Sequence, residues 1–224
     1  MANNKIIASA FASGNGSNVE NILHFAQKNP DRLKIPVIIC DTPGAAVIEK
    51  AKAMGVPCEV VPVTKDGHAS HQEARAAQEN RVCEILAKYG VEWVFLAGYM
   101  QIVSSGFVGR FADPVLGVSR IVNIHPALLP SFPGRDSYIR AYNSGVKVAG
   151  VSLHFVDEGV DTGLLIGQKS FDRLCHESFD EFRARGMELE YALFREFLQS
   201  LIDDTLSIEV IPGTENRIVC LCGK

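Results

Sequence analysis

The segment Asn-Ile-His-Pro at residues 123–126 carries residue types that acyl-transfer chemistry uses. Alternate side chains of a strand point to the same side, so we expect Asn123 and His125 to face one way and Ile124 to pack the other way. Pro126 biases His125 towards an extended backbone. An amide donor beside an imidazole can stabilise a negative oxygen, and the imidazole can move a proton near neutral pH. A histidine hydrogen-bonded at a strand end, with no catalytic role, is the alternative interpretation.

An acidic turn at residues 157–163 supplies a candidate partner for this histidine, and it reads Asp-Glu-Gly-Val-Asp-Thr-Gly. A carboxylate from Asp161 beside His125 would favour the charged imidazole and raise its pKa, or would order a water that relays protons. Acidic turns are more often solvated hairpin turns. Both interpretations remain open, because the sequence does not show whether Asp161 reaches His125.

A glycine-containing loop follows the first predicted strand and contains Ser13, Gly14, Asn15, Gly16, Ser17 and Asn18. Glycines allow the backbone to approach an anion, and the following helix offers free N–H groups at its N-terminus. Ser17 and Asn18 are expected to add side-chain donors and to cap that helix. The loop is no dinucleotide fingerprint, because Val19 stands where the third glycine would fall, and no lysine follows as in a P-loop. A small terminal phosphate suits the loop best, and an ordinary tight turn is the alternative.

The elements that position these residues follow from apolar runs and helical periodicity. Strands are predicted at residues 5–12, 35–40, 57–63, 93–97, 120–124, 146–156 and 164–171, and helices at 18–28, 45–54, 71–88 and 179–201. Alternation of helices with continuous apolar strands is typical of a parallel sheet whose faces are covered by helices. The predicted fold class is therefore α/β and Rossmann-like. A mostly parallel sheet with helices on both faces is continued by a C-terminal part with longer, antiparallel-type strands and a long helix.

We expect one domain over residues 1–205, with a phosphate- and nucleotide-binding half at 1–100 and a catalytic and folate-binding half at 101–205. The tail at 206–224 is expected to form either a late strand pair or a poorly ordered end. In open α/β sheets ligands bind beyond the carboxyl ends of the strands. The chemically interesting segments follow predicted strands, and that placement favours a ligand-binding role.

Composition excludes several classes of protein. The 224 residues carry a net charge of -4, with basic and acidic residues mixed, so no nucleic-acid partner is expected. No run approaches the roughly 20 apolar residues of a membrane helix, and the N-terminus does not resemble a signal peptide, so we expect a cytoplasmic protein without a membrane partner. Six cysteines occur without a CxxC pair, and no metal site is expected. The cysteines are Cys40, Cys58, Cys83, Cys175, Cys220 and Cys222.

Three segments together resemble the glycinamide-ribonucleotide formyltransferases of purine synthesis, and the similarity covers most of residues 5–200. They are the loop at 12–18, the segment 123–130 with Pro133-Gly134, and the segment from His154-Phe155-Val156 to Asp161-Thr162-Gly163. The second and third are similar to the wider group of folate-dependent formyltransferases. The first points to the glycinamide-ribonucleotide branch.

The resemblance implies roles for individual residues. Asn123, His125 and Asp161 would be the amide donor, the general acid and the carboxylate that tunes it. The phosphate of the substrate would be held by Gly14, Asn15, Gly16, Ser17 and Asn18. The folate would be bound by Met100, Gln101, Ile102, Val103 and Arg75, and the ribonucleotide by Glu190. The co-substrate would be 10-formyltetrahydrofolate, no metal would be needed, and the protein would act on small molecules as a monomer or homodimer.

The chain also departs from the family pattern. Gln101 stands where family members commonly carry arginine, which affects the expected folate contact. Residues 113–119 resemble an insertion before the catalytic strand, residues 135–139 differ from the usual ones, and the chain beyond Leu201 matches little.

Rival functions share part of this pattern. A transfer-RNA or nucleotide-sugar formyltransferase would share the Asn-x-His pair and the aspartate, but would be expected to carry a further C-terminal domain. A formyltetrahydrofolate deformylase would be expected to carry an extra N-terminal domain. A nucleotide-binding module without catalysis would explain the glycine loop but not the Asn-x-His pair and its distant aspartate.

Overall fold

Alternating apolar runs and glycine turns build the first half of the chain. A computed structural model describes residues 5–64, 67 and 69–221. Contacts divide the chain into two units, Met1–Phe111 and Ala112–Lys224. The elements of the first unit are β1 (Ile6–Ala12), α1 (Ser17–Lys28), β2 (Leu33–Lys34), β3 (Ile38–Cys40), α2 (Ala46–Ala53), β4 (Cys58–Val60), α3 (His71–Lys88), β5 (Trp93–Leu96) and α4 (Ser105–Arg110).

The strands of the first unit are parallel. β1 pairs with β2, β3 and β5, and β3 pairs with β4. The centre of this sheet is mostly apolar, with Ala10, Ile38 and Phe95 all inaccessible to solvent. The carboxyl ends of β1 and β5 lie side by side because the strands are parallel neighbours, and the segments that follow them meet there.

The structure corrects several predicted boundaries in this unit. The strand expected at 35–40 is shortened to β3, and the two-residue β2 precedes the predicted range. Pro36, which has no N–H group to continue the ladder, lies between the two strands. The strand expected at 57–63 is limited to β4. The short helix α4 was not predicted, and Ser104 caps it by accepting a hydrogen bond from the N–H of Phe107.

The second unit is built around three antiparallel strands and a long helix. Its elements are β6 (Ala112–Asp113), β7 (Val118–Ser119), β8 (Ile121–His125), α5 (Ser137–Ser144), β9 (Val148–Phe155), β10 (Leu165–Asp172), α6 (Phe179–Ile202), β11 (Ser207–Val210) and β12 (Arg217–Cys220). β8 pairs with β9, and β9 pairs with β10. The predicted fold class is confirmed, with a mostly parallel, Rossmann-like arrangement followed by antiparallel strands and a long C-terminal helix.

Two segments of the second unit hold structure that the sequence left open. The Asp113 carboxylate in the 113–119 segment accepts the N–H groups of Val115 and Leu116 and pairs with Arg120 at 2.7 Å. The tail forms the late strand pair that was one of two expectations, as the hairpin of β11 and β12. The end of the expected tail, including Cys222, lies outside the described residues.

Helix α6 begins with a capping box. The Ser178 side chain accepts the N–H of Glu181, and the Glu181 carboxylate accepts the N–H of Ser178. The buried side of the helix includes Phe182, Phe194 and Phe197, which pack into the core. No helix in the described ranges has the length and apolar character needed to cross a membrane.

We expect Ser178→Ala to lower the free energy of unfolding by about 1 kcal/mol, because the first turn of α6 loses its cap. Urea denaturation followed by circular dichroism measures this change. Ser105→Ala, at an exposed position inside the first turn of α4, is the matched control. Equal stabilities for wild type and Ser178→Ala would contradict a contribution from the cap.

Candidate active site

The strand pair β8–β9 places the Asn-x-His motif. β8 and β9 are antiparallel, and Asn123 lies directly opposite His154. Asn123 and His125 both reach the carboxylate of Asp161, which confirms that the two side chains face one side of the strand. Ile124 between them is buried in packing.

Both ring nitrogens of His125 have close partners. Nδ1 lies 3.2 Å from Oδ2 of Asp161. Nε2 lies 2.9 Å from the carbonyl oxygen of Phe132 and 3.2 Å from the hydroxyl of Ser137. A carboxylate and a carbonyl accept hydrogen bonds, so a charged imidazole can donate to both. Only 4% of His125 is exposed.

Burial sets the protonation of this histidine. Burial lowers the pKa of His125 below its ordinary value, and the attraction of Asp161 and the Phe132 carbonyl, which both raise it, do not compensate. The expected effect of Asp161 is therefore present, but it is smaller than the cost of desolvating the charged ring. The lowered pKa favours the neutral imidazole at neutral pH.

The acidic turn has two different carboxylates. Asp157 is exposed and accepts hydrogen bonds from Gly159 and Thr162, as an ordinary turn aspartate does. Asp161 instead has a left-handed backbone, with φ of 56°, and its side chain is only 11% exposed. A Cβ at Gly163 would lie 1.8 Å from the carbonyl oxygen of Phe155. The turn can therefore fold back against β9 only with glycine at 163.

The Asp161 carboxylate is held by several donors. Oδ2 accepts the N–H of Gly134 at 2.7 Å, and Oδ1 lies 3.3 Å from the amide nitrogen of Asn123. Oδ1 is also 3.5 Å from Nε2 of His154. Burial opposes ionisation, but a hydrogen bond from His154 when its Nε2 carries a proton, the Gly134 N–H and the charge of a protonated His125 outweigh it and lower the pKa of Asp161 to about 2. The carboxylate is ionised at neutral pH.

The glycine loop after β1 is a tight turn into α1. Gly16 is the N-cap, with φ of 72° and no side-chain cap, so the expectation that Ser17 and Asn18 cap the helix is wrong. Ser17 begins the helix, and Asn18 is buried in its first turn. A Cβ at Gly16 would lie 2.4 Å from the Val47 side chain, so glycine is needed here. Gly14 and Asn15 are exposed.

The predicted folate segment lies beside this loop in the first unit. The hydroxyl of Ser13 accepts the N–H of Met100 at 2.8 Å. Met100 and Ile102 expose 52% and 53% of their surface, whereas Val103 is buried. Gln101 and Val103 line a small cavity.

Arg75 and Glu190 each contact a residue of their own unit. Arg75 lies 3.8 Å from Glu79, one turn along α3. Glu190 on α6 is buried and accepts a hydrogen bond from the hydroxyl of Tyr138. Burial raises the pKa of Tyr138, and the neighbouring Glu190 adds to the rise. Tyr138 therefore stays protonated and can donate to the carboxylate.

Sequence reasoning gave no role to three groups that touch the motif residues. His154, Ser137 and the backbone N–H of Gly134 all contact Asn123, His125 or Asp161. His154 was visible only as part of a matching segment, because its position opposite Asn123 depends on the register of β8 and β9. In the described part of the chain, no cluster of three or more His, Cys, Asp or Glu side chains is arranged to hold a metal ion.

Comparisons with known proteins identify the family of this chain. The family model described as formyl transferase matches residues 5–198. The phosphoribosylglycinamide formyltransferase of Bacillus subtilis is 35% identical over 192 residues, which cover 86% of this chain and 92% of that protein. The trifunctional purine biosynthetic protein adenosine-3 of Gallus gallus is 29% identical over 205 residues, and the match spans 19% of its length. The crystal structure of phosphoribosylglycinamide formyltransferase from Streptococcus pneumoniae has a TM-score of 0.76 and 37% identity, covering 88% of this chain and 99% of that one.

We expect Asp161 to stabilise the fold in a pH-dependent way. Its pKa is about 2 in the folded chain against an ordinary 3.8, so its stabilisation is complete above the ordinary value and is lost as the pH falls towards 2. The wild type should therefore lose about 2 kcal/mol of unfolding free energy relative to Asp161→Asn between about pH 5 and pH 2. Denaturant titrations at several pH values measure this difference. Asp157→Asn in the same turn is the matched control, and parallel pH curves for wild type and Asp161→Asn would contradict the assignment.

Proposed function

The chain belongs to the formyl transferase family, and on that premise we propose that it transfers a formyl group from 10-formyltetrahydrofolate to the amine of glycinamide ribonucleotide in de novo purine synthesis. The observation that carries the proposal is the cluster in which Asp161 contacts both His125 and Asn123. The similarity to named phosphoribosylglycinamide formyltransferases supports the choice of substrate.

The proposed reaction is a direct acyl transfer. The amine attacks the formyl carbon, a C–N bond forms, and the carbonyl oxygen becomes a tetrahedral oxyanion. When this intermediate collapses, the bond to the folate nitrogen breaks, the attacking amine loses a proton, and the folate nitrogen takes one up, so that the protons balance. Neither a metal nor a covalent bond to the protein is required.

His125 and Asn123 are proposed to stabilise the oxyanion. Burial favours the neutral imidazole, and a negative oxygen beside it would be a second anion besides Asp161 and would raise the pKa of His125. The charged ring is then favoured at the step where negative charge develops. An interaction that is stronger in the transition state than in the ground state accelerates the reaction.

The glycine loop is proposed to bind the substrate phosphate. Exposed Gly14 and Asn15 precede the N-terminus of α1, where backbone N–H groups and the helix dipole attract anions. Glu190 is proposed to contact the ribonucleotide. Residues 100–103 and Arg75 are proposed to bind the folate, with Gln101 giving a neutral contact.

The test of the function is turnover with both substrates. We expect 10-formyltetrahydrofolate to be consumed only when glycinamide ribonucleotide is present, with one formylated product formed for each folate used. Formate release without the amine would instead indicate a deformylase. Binding of either ligand without consumption would indicate a non-catalytic module.

We expect Asn15→Asp to weaken the binding of glycinamide ribonucleotide. The substitution keeps the side-chain size but adds a negative charge beside the proposed phosphate, and should raise the dissociation constant roughly tenfold or more. Gly16→Asp is less suitable, because φ at Gly16 is 72° and Val47 occupies the space of a side chain. Calorimetry on both ligands measures the effect.

Asn15→Ala is the control for loss of the amide without added charge, and the binding of a folate analogue should be nearly unchanged in both variants. Equal losses for ribonucleotide and folate in Asn15→Asp would contradict the phosphate assignment.

We expect Asp161→Asn to reduce turnover by roughly a hundredfold or more, because the charged imidazole loses its anionic partner. Michaelis constants should change much less, since the interaction matters mainly in the transition state. The pKa of His125, followed by NMR, should fall further in the variant.

Asp157→Asn in the same turn should retain wild-type turnover, because that carboxylate is exposed and bonds only within the turn in the contacts described above. If Asp161→Asn folds but leaves both the pKa of His125 and the turnover unaltered, the Asp–His coupling is wrong.

A further inference from the structure

His154 is a buried histidine without a role in the proposed reaction. It is only 2% exposed and lies on β9 directly opposite Asn123. Its ring contacts a backbone carbonyl, the Asn123 amide and the Asp161 carboxylate. These contacts determine which nitrogen of the ring carries the proton.

Nδ1 of His154 is the donor nitrogen. It lies 2.8 Å from the carbonyl oxygen of Phe155, which only accepts hydrogen bonds. A neutral imidazole has one N–H group, so the lone pair is on Nε2. Nε2 lies 3.1 Å from the amide nitrogen of Asn123 and can accept one of its hydrogens.

The Asn123 amide is then oriented by two acceptors. Its nitrogen lies 3.1 Å from Nε2 of His154 and 3.3 Å from Oδ1 of Asp161, so its two N–H groups have two partners. An amide rotated by 180° would turn its carbonyl oxygen towards a lone pair and a carboxylate. A charged His154 would point an N–H group at the NH₂ group. In this orientation the amide donates to Nε2 of His154 and to the ionised Asp161, so both of its hydrogens are bonded.

We propose that His154 is a positioning residue that acts through Asn123. By accepting one amide hydrogen, it keeps the NH₂ group turned towards Asp161. Asp161 accepts the second amide hydrogen in this structure, and during the reaction that N–H group donates its hydrogen bond to the oxyanion instead. This inference rests on the proposed function for its kinetic consequence, but the tautomer of His154 follows from the geometry alone.

The kinetic test is a double-mutant cycle on the full chain. We expect His154→Leu to reduce kcat roughly 10- to 100-fold, because the amide of Asn123 loses its orientation. The Michaelis constants should stay within about threefold of wild type. In an Asn123→Ala background the same substitution should cost little, since the residue through which His154 acts is already absent.

His176→Leu, at an exposed histidine of the same unit, is the matched control and should retain wild-type kcat. A loss of kcat that is equal in both backgrounds, or a loss confined to the Michaelis constants, would overturn the inference, since a purely structural histidine would act independently of Asn123.

A second measurement does not depend on the folding of any variant. Nitrogen-15 NMR of the wild-type chain at neutral pH should show His154 as the neutral tautomer protonated on Nδ1. A ring protonated on Nε2, or on both nitrogens, would overturn the inference. Absence of turnover in the wild type would contradict the proposed function, whereas the wrong tautomer would contradict the role of His154 alone.

Discussion

The geometry of the candidate site depends on an ionised carboxylate kept away from water. Asp161 is largely buried, yet its pKa is about 2, because N–H donors and histidine rings around it outweigh the cost of burial. Each oxygen has its own partners: Oδ2 faces Gly134 and His125, and Oδ1 faces Asn123 and His154. A buried charge is tolerated only when it is paired and hydrogen-bonded in this way. The orientation of each neighbouring side chain follows from the position of that charge.

The fold positions the carboxylate through strand register and turn geometry. Antiparallel pairing of β8 and β9 sets Asn123 opposite His154, and a shift by one residue would turn these side chains to the other face. The left-handed backbone of Asp161, which is uncommon for residues other than glycine, directs its side chain back to this pair. Gly163 allows the close approach of the turn to Phe155. Strained backbone of this kind occurs often at functional sites, where surrounding contacts hold it in place.

The sequence predicted these parts unequally, for physical reasons. Apolar runs and a period of two were enough for the fold class and for the shared direction of Asn123 and His125. The strand predicted at 35–40 begins only at Ile38, after Pro36, because a pattern of side chains does not report a missing backbone donor. Helix α5 lies in a segment that looked like a proline- and glycine-rich loop, and it begins from a left-handed Asp136 without a side-chain cap. The predicted cap of α1 by Ser17 was wrong in a similar way, because Gly16 is the N-cap and forms the turn with its left-handed backbone, without a side-chain hydrogen bond.

Contacts between distant segments could not be predicted from the sequence. The partners of His125 include the carbonyl of Phe132 and the hydroxyl of Ser137, which come from a loop and from the start of α5. Burial lowers the pKa of His125 more than Asp161 raises it. The size of the burial effect depends on how many atoms cover the ring, and no local sequence pattern reports that number. The role of His154 depends on register, which periodicity leaves undetermined.

The reactive groups are hydrogen-bonded to the protein itself, and this affects how the proposed reaction gains its rate. Nε2 of His125 is bonded to the Phe132 carbonyl, and the second amide hydrogen of Asn123 is bonded to the ionised Asp161. A neutral formyl oxygen would replace the Phe132 carbonyl by an acceptor of similar strength and Asp161 by a weaker one, so binding the ground state would gain little. An oxyanion is a stronger acceptor than the Phe132 carbonyl and, like Asp161, a charged partner for Asn123. The exchange therefore becomes favourable only as negative charge develops, and these internal hydrogen bonds direct the stabilisation to the transition state.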